Sequence, residues 1–137
     1  EEVFCLTYGD GVSDINISKL IEFHQKHGKD ATISSTNPPG RFGSVEIKNS
    51  KVVNFIEKPE GDGNQVSCGF FVLSPKVLMR ITGDDCIWEQ GPLKGLAEDD
   101  ELMAFSHKGF WQPMDTLRDQ MYLEKLWREK NAPWKTW

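Results

Sequence analysis

Val3 to Tyr8 form a short apolar run that ends in Gly9-Asp10-Gly11, the pattern of a buried strand entering a tight loop. Asp14 or Asn16 can then cap a helix whose apolar face carries Ile17, Leu20, Ile21 and His24, with Gly28 as its C-terminal stop. Ala31 to Thr36, rich in Thr, Ile and Ser, reads as the next strand. A strand, a capped helix and a second strand in such close succession leave few topologies open. The unit folds as a right-handed parallel crossover, which places the chain in the α/β class.

Beyond Pro38-Pro39-Gly40 the pattern changes. Ser44–Lys48 and Lys51–Ile56 read as a hairpin around Asn49-Ser50, with Val45, Ile47, Val53 and Phe55 at period two. Glu57 to Asn64 is a polar, glycine-containing loop, and Val66 to Leu73 is the most hydrophobic strand candidate. Pro75 opens a short helix ending near Gly83, and Pro92 to Glu98 form another. Leu102–Phe105 and Gly109–Trp111 are short strands. Thr116 to Lys130 is the clearest helix, with Leu117, Met121, Tyr122, Leu126 and the stem of Lys125 at helical spacing, and Pro133 ends it. With no repeats or linkers, residues 1–137 are expected to form a single α/β domain with a mixed sheet.

At 137 residues the chain is long enough for a core of its own. Its 16 basic and 21 acidic side chains give a net charge of −5, which argues against a nucleic-acid binder. No apolar run approaches the ~20 residues of a membrane span. Glu1 and Glu2 carry no signal-peptide pattern, so a cytoplasmic, non-membrane protein is expected. The three cysteines lack the spacing of a disulfide framework or zinc knuckle, and Cys5 and Cys68 read as small hydrophobes inside strands. The chain opens with Glu-Glu and no Met directly before a strand, which suggests a trimmed chain or part of a longer one.

Several residues can carry chemistry. Asp10, between two glycines at the end of a parallel strand, stands where ligands gather in open α/β sheets, although Gly-Asp-Gly is more commonly a plain turn. Asp115 precedes the long helix and reads first as its N-cap, a role that does not exclude metal binding. Two carboxylates from distant points of a chain are what a Mg²⁺ site bridging phosphates needs. Glu57-Lys58 pairs a hydroxyl acceptor with a phosphate donor, and Arg41 and Gly43 offer a fork-shaped donor and close backbone approach. Each of these has an ordinary loop role as its alternative. His24 and His27 lack the motif and third ligand of a metal site, and Trp127, Trp134 and Trp137 could cover a sheet edge or a second subunit.

The runs YGDGVSD, PPGRFG, FIEKPEGDG, GFFVLSP, WEQGPL, ELMAF and GFWQPMDTLRDQMYLEKLW…APWKTW, in this order, resemble the sugar nucleotidyltransferases and, among them, the glucose-1-phosphate cytidylyltransferases. The resemblance implies a partial nucleotide-diphospho-sugar transferase fold, lacking the N-terminal nucleotide-binding strands. It also implies the Mg²⁺-dependent reaction of CTP with α-D-glucose 1-phosphate to CDP-glucose and pyrophosphate, which serves dideoxysugar synthesis for bacterial surface polysaccharides. By resemblance, Asp10 and Asp115 match the Mg²⁺ aspartates, and Lys58 with Glu57 the sugar-phosphate pair. Gly43 and the Cys68-Gly69 backbone match positions lining the sugar, while Arg41 and Glu89 fall in nearby loops.

The Gly-rich loop of G-G-x-G-T-R type that cradles the nucleotide in such enzymes has no match in these residues. The resemblance therefore implies the C-terminal, sugar-phosphate side of an enzyme, expected to be inactive alone and to take CTP only with the missing half supplied. The alternative is a stand-alone, non-catalytic fragment acting as a binding or oligomerising module. Exposed strand edges and the Trp-rich tail lead to an expectation of a homo-oligomer.

Overall fold

The computed structural model describes residues 2–38, 44–56 and 65–137. Strand β1 (Phe4–Thr7) is followed by β2 (Gly11–Ser13), α1 (Ile17–His27) and β3 (Ala31–Thr36). The hairpin β4 (Ser44–Lys48) and β5 (Lys51–Ile56) comes next, then β6 (Val66–Leu73) and a 3₁₀ helix (Pro75–Arg80). The chain continues through α2 (Pro92–Glu98), β7 (Leu102–Ser106), β8 (Trp111–Pro113) and α3 (Leu117–Arg128).

The main sheet has the order β1-β6-β3-β7. Strand β6 runs antiparallel to both β1 and β3, and β3 runs parallel to β7. The sequence-based crossover from β1 through α1 to β3 is thus parallel, but β6 is inserted between its two strands. Alternation along β6 feeds both faces. Phe71 and Leu73 join Ala31, Val77 and Leu96 on the side of the 3₁₀ helix and α2. Val72 joins Ile15 and Leu20 on the α1 side.

Helix α1 starts where Asn16 accepts the Lys19 N–H at 2.9 Å and stops at Gly28, whose φ of 69° lies in the left-handed region. Asn16 rather than Asp14 is the cap. Helix α3 is capped by Thr116, not by Asp115: Thr116 Oγ1 accepts the Asp119 N–H while Asp119 accepts the Thr116 N–H. Asp115 stands one residue outside, because the hydroxyl three residues before Asp119 completes a reciprocal pair.

Other expectations are corrected by packing. The last strand is Trp111–Pro113 rather than Gly109–Trp111, because it follows the register of β2. In the β4–β5 hairpin Ile47 pairs with Val52 as the two-residue turn dictates, and a register shift between Glu46 and Ile47 then skips Val53, so that Glu46 faces Asn54 and Val45 faces Phe55. Helix α3 buries Leu123, while Leu117, Met121 and Tyr122 face outward. Cys5 is exposed on β1, an edge strand among the described residues, whereas Cys68 is buried on the inner strand β6. Among the described residues no helix is long and apolar enough to cross a membrane.

Candidate functional site

The turn at Gly9-Asp10 carries the chain out of the main sheet into β2, which pairs antiparallel with β8 through Gly11–Pro113, Val12–Gln112 and Ser13–Trp111. The ladder extends by one more bond, from the Met114 N–H to the Asp10 carbonyl at 2.6 Å. Asp10 therefore stands beside Met114, and Asp115 follows immediately. Two acidic residues remote in sequence reach the same end of one short ladder, and both are exposed.

Three contacts lock this ladder to the main sheet and to its own loop. The Trp111 indole N–H donates to the Cys68 carbonyl at 3.0 Å, tying β8 to β6. The Asp14 N–H donates to the Phe110 carbonyl at 3.2 Å. His107 Nε2 lies 3.0 Å from the Phe110 carbonyl, 3.2 Å from Ser13 Oγ and 3.0 Å from Asp14 Oδ1. Acceptors on every side require Nε2 to carry the hydrogen, and its geometry favours the carbonyl, leaving Asp14 Oδ1 in close contact without a hydrogen bond. Because all three partners crowd one ring nitrogen, the Ser13-His107-Asp14 group is a brace for the loop and not a nucleophile relay.

The floor beside Asp10 is made by Tyr8 and Gly69. Gly69 has φ 77°, and a Cβ there would come within 2.8 Å of the Tyr8 ring. The Tyr8 N–H donates to the Gly69 carbonyl at 2.9 Å, and the ring packs on Phe71 with centroids 5.5 Å apart. The Tyr8 hydroxyl donates to Glu89 Oε1 at 2.5 Å. Burial, then this bond and the nearby charges of Glu89 and Asp10, hold the phenol well above its ordinary range. The same bond, with one from the Glu89 backbone N–H, keeps the Glu89 carboxyl below its usual value. The Cys68 thiol, pushed up to about 11 mainly by burial, stays protonated and is no nucleophile.

Of the sequence-derived candidates, the structure brings Asp10, Asp115, Glu89, Cys68 and Gly69 around one region. Arg41, Gly43, Glu57 and Lys58 lie outside the described residues. Tyr8 and the role of Trp111 were not anticipated from sequence, though Phe4, Leu6, Tyr8 and Asp10 share one parity on β1 and its extension, which is a readable signal. A separate groove of about 440 Å³, lined by residues including Asn37, Gln65 and His107, adjoins Trp111 but includes neither Asp10 nor Asp115.

A family model described as nucleotidyl transferase matches residues 1–114. The chain belongs to the nucleotidyl transferase family. This nucleotidyl transferase chain is 57% identical, over all its 137 residues, to the glucose-1-phosphate cytidylyltransferase of Salmonella typhimurium, of which it covers 53%. It is 35% identical to the mannose-1-phosphate guanylyltransferase catalytic subunit beta of Drosophila pseudoobscura, with 96% of this chain and 38% of that protein aligned. The chain thus spans about half the length of the Salmonella relative.

Solved structures agree in fold. A Bacillus anthracis protein assigned as a glucose-1-phosphate thymidylyltransferase, crystallised with sucrose, superposes at a TM-score of 0.65 and 19% identity, over 93% of this chain and 55% of that one. HddC from Yersinia pseudotuberculosis does so at 0.55 and 21% identity, over 89% and 54%. The α/β fold with its mixed sheet and flanking helices is nucleotidyltransferase-like, and the expected partial coverage of that fold is what these alignments give.

Proposed function

We propose that this chain is the sugar-phosphate-binding part of a glucose-1-phosphate cytidylyltransferase. The observation that carries the reading is the β2–β8 ladder, which sets Asp10 and Asp115 at one end of a short sheet beside Tyr8, Gly69 and Glu89. The 57% identity to the Salmonella cytidylyltransferase supports the choice of substrate over the mannose-linked relatives.

In the reaction an oxygen of glucose 1-phosphate attacks the α-phosphorus of CTP, and pyrophosphate leaves with the electrons of the broken P–O bond. The phosphate monoester is already anionic near neutral pH, so no general base is required. The protein's work is positioning and charge neutralisation. Exposed carboxylates are hard oxygen donors of the kind that suit Mg²⁺, and two of them leave room for phosphate oxygens to complete its coordination. Asp10 and Asp115 would hold this ion, which when bound supplies charge withdrawal from the phosphoryl oxygens. On this reading Lys58 would offset the charge of the sugar phosphate, Glu57 and Glu89 would accept hydrogen bonds from sugar hydroxyls, and Arg41, Gly43 and the Cys68-Gly69 backbone would contribute the further sugar contacts that the resemblance implies.

The sequence contains no Gly-rich phosphate loop. We therefore expect weak, millimolar binding of glucose 1-phosphate by the chain alone and no turnover without the nucleotide-binding half. Pyrophosphate release from CTP, glucose 1-phosphate and Mg²⁺ tests this, and robust CDP-glucose formation by the isolated chain would contradict it. Self-association in the cytoplasm is part of the same reading, supported by the exposed Leu117, Met121, Trp127 and Trp137. A monodisperse monomer in solution would contradict that part.

A further inference from the structure

Glu89 is an exposed carboxylate, and exposed carboxylates ordinarily sample several rotamers. This one is held by a specific donor. The Tyr8 hydroxyl donates to Oε1 at 2.5 Å. The phenol is fixed in turn. Its ring is wedged over Gly69, where a Cβ would come within 2.8 Å, and leans on Phe71, and its N–H is bonded to the Gly69 carbonyl. Phe71 is itself fully buried and braced edge-on by Trp88. A packed column thus runs from the core of the sheet through Phe71 and Tyr8, two residues before Asp10, to the surface carboxylate of Glu89.

We propose that Tyr8 is a positioning residue for sugar recognition, holding the Glu89 carboxylate as a pre-oriented acceptor for hydroxyl groups of the hexose. The inference rests on the sugar-phosphate reading above and assigns to Tyr8 a role that reading does not contain. The chemistry fits a polyol. An ionised carboxylate only accepts, and with Oε1 engaged by the phenol, its remaining acceptor sites can meet sugar O–H donors without paying again for orientation. A phosphate group, itself an anion, gains nothing from Glu89. Tyr8 should therefore govern affinity for the sugar and not for the phosphate.

The test is Tyr8→Phe, which keeps the ring on Gly69 and Phe71 and removes only the hydroxyl. Affinities for α-D-glucose 1-phosphate and for inorganic phosphate are measured by NMR titration of the whole chain. Glucose 1-phosphate is expected to bind about fivefold or more weakly, while inorganic phosphate stays within about twofold. In the same samples the Glu89 side-chain ¹³C signal should titrate at higher pH in the variant, which reports that the phenol–carboxylate bond is gone, while the selective loss of sugar over phosphate affinity separates positioning from a merely structural role. Glu89→Gln, an exposed substitution that spares the fold, is expected to show the same selective loss. Equal weakening of both ligands, or unchanged glucose 1-phosphate binding in both variants, would overturn the inference and leave the sugar-phosphate reading standing. Failure of the unmodified chain to bind glucose 1-phosphate at all would overturn that reading and the inference with it.

Discussion

The Met114 N–H and the Asp10 carbonyl meet at 2.6 Å, one rung beyond the last paired residues of β2 and β8. This rung fixes where Asp115 stands relative to Asp10. The register it closes is held from outside by the bond between the Trp111 indole and the Cys68 carbonyl.

Trp111→Phe retains most of the apolar contact but leaves the Cys68 carbonyl without that donor. A cost of about 1–2 kcal/mol is expected. Urea unfolding of the variant against the parent chain measures it, and an unchanged midpoint would show that the bond does not hold β8.

The glycines separate two physical effects. Gly28 has φ 69° with open space around its Cα, so Gly28→Ala should cost only the backbone term, about 1 kcal/mol. Gly69 has φ 77° and the Tyr8 ring in the way, so Gly69→Ala should cost more, about 2–4 kcal/mol. Denaturant melts of both variants test the order, and equal losses would mean that the ring yields freely.

Stability should depend on pH through the buried His24 and the half-buried His27 beside it. The Lys29 N–H donates to His27 Nδ1 at 2.9 Å, which leaves His27 Nε2–H to donate to Thr32 Oγ1 at 2.7 Å. The Thr32 hydroxyl then donates to His24 Nδ1 at 2.9 Å, so both rings are neutral in this chain of bonds. Burial lowers both histidines below the ordinary 6.5, helped by the neighbouring His27 for His24 and Lys29 for His27. Between the lowered values and 6.5 the unfolded chain binds more protons than the folded one. The contribution is therefore complete above pH 6.5 and is lost as the pH falls through the folded values. Urea midpoints should drop from pH 7.5 to 5.5, and the drop should be smaller in a His24→Gln, His27→Gln double variant.

Much of this was legible from the residues. The crossover unit, the Asn49-Ser50 hairpin turn, the Gly28 stop and the strand Val66–Leu73 follow from local patterns that the tertiary structure did not override. What sequence could not supply was pairing. Strand β2 is three residues long and has meaning only through β8, so neither the shifted bounds of β8 nor the separate two-stranded sheet was readable. Which face of α3 packs inward was not readable, because Leu117 and Met121 follow helical spacing as core residues do, yet they are exposed among the described residues while Leu123 is buried. In the site, Asp10 and Asp115 could be named from resemblance, whereas Tyr8 lay hidden as the last apolar residue of a strand.

The cap of α3 belongs to the same lesson. Thr116, with its reciprocal bonds to Asp119, should be worth about 1 kcal/mol, and Thr116→Ala should lower the urea midpoint accordingly.

The central claim is that Asp10 and Asp115 act together on a divalent cation next to a sugar phosphate. Electron paramagnetic resonance of Mn²⁺, titrated into the chain with glucose 1-phosphate present, tests it most directly. Asp10→Asn and Asp115→Asn should each remove most of the bound Mn²⁺, and the double variant should lose little more, as expected for two ligands of one ion. Mn²⁺ binding that persists undiminished in both single variants would contradict the account.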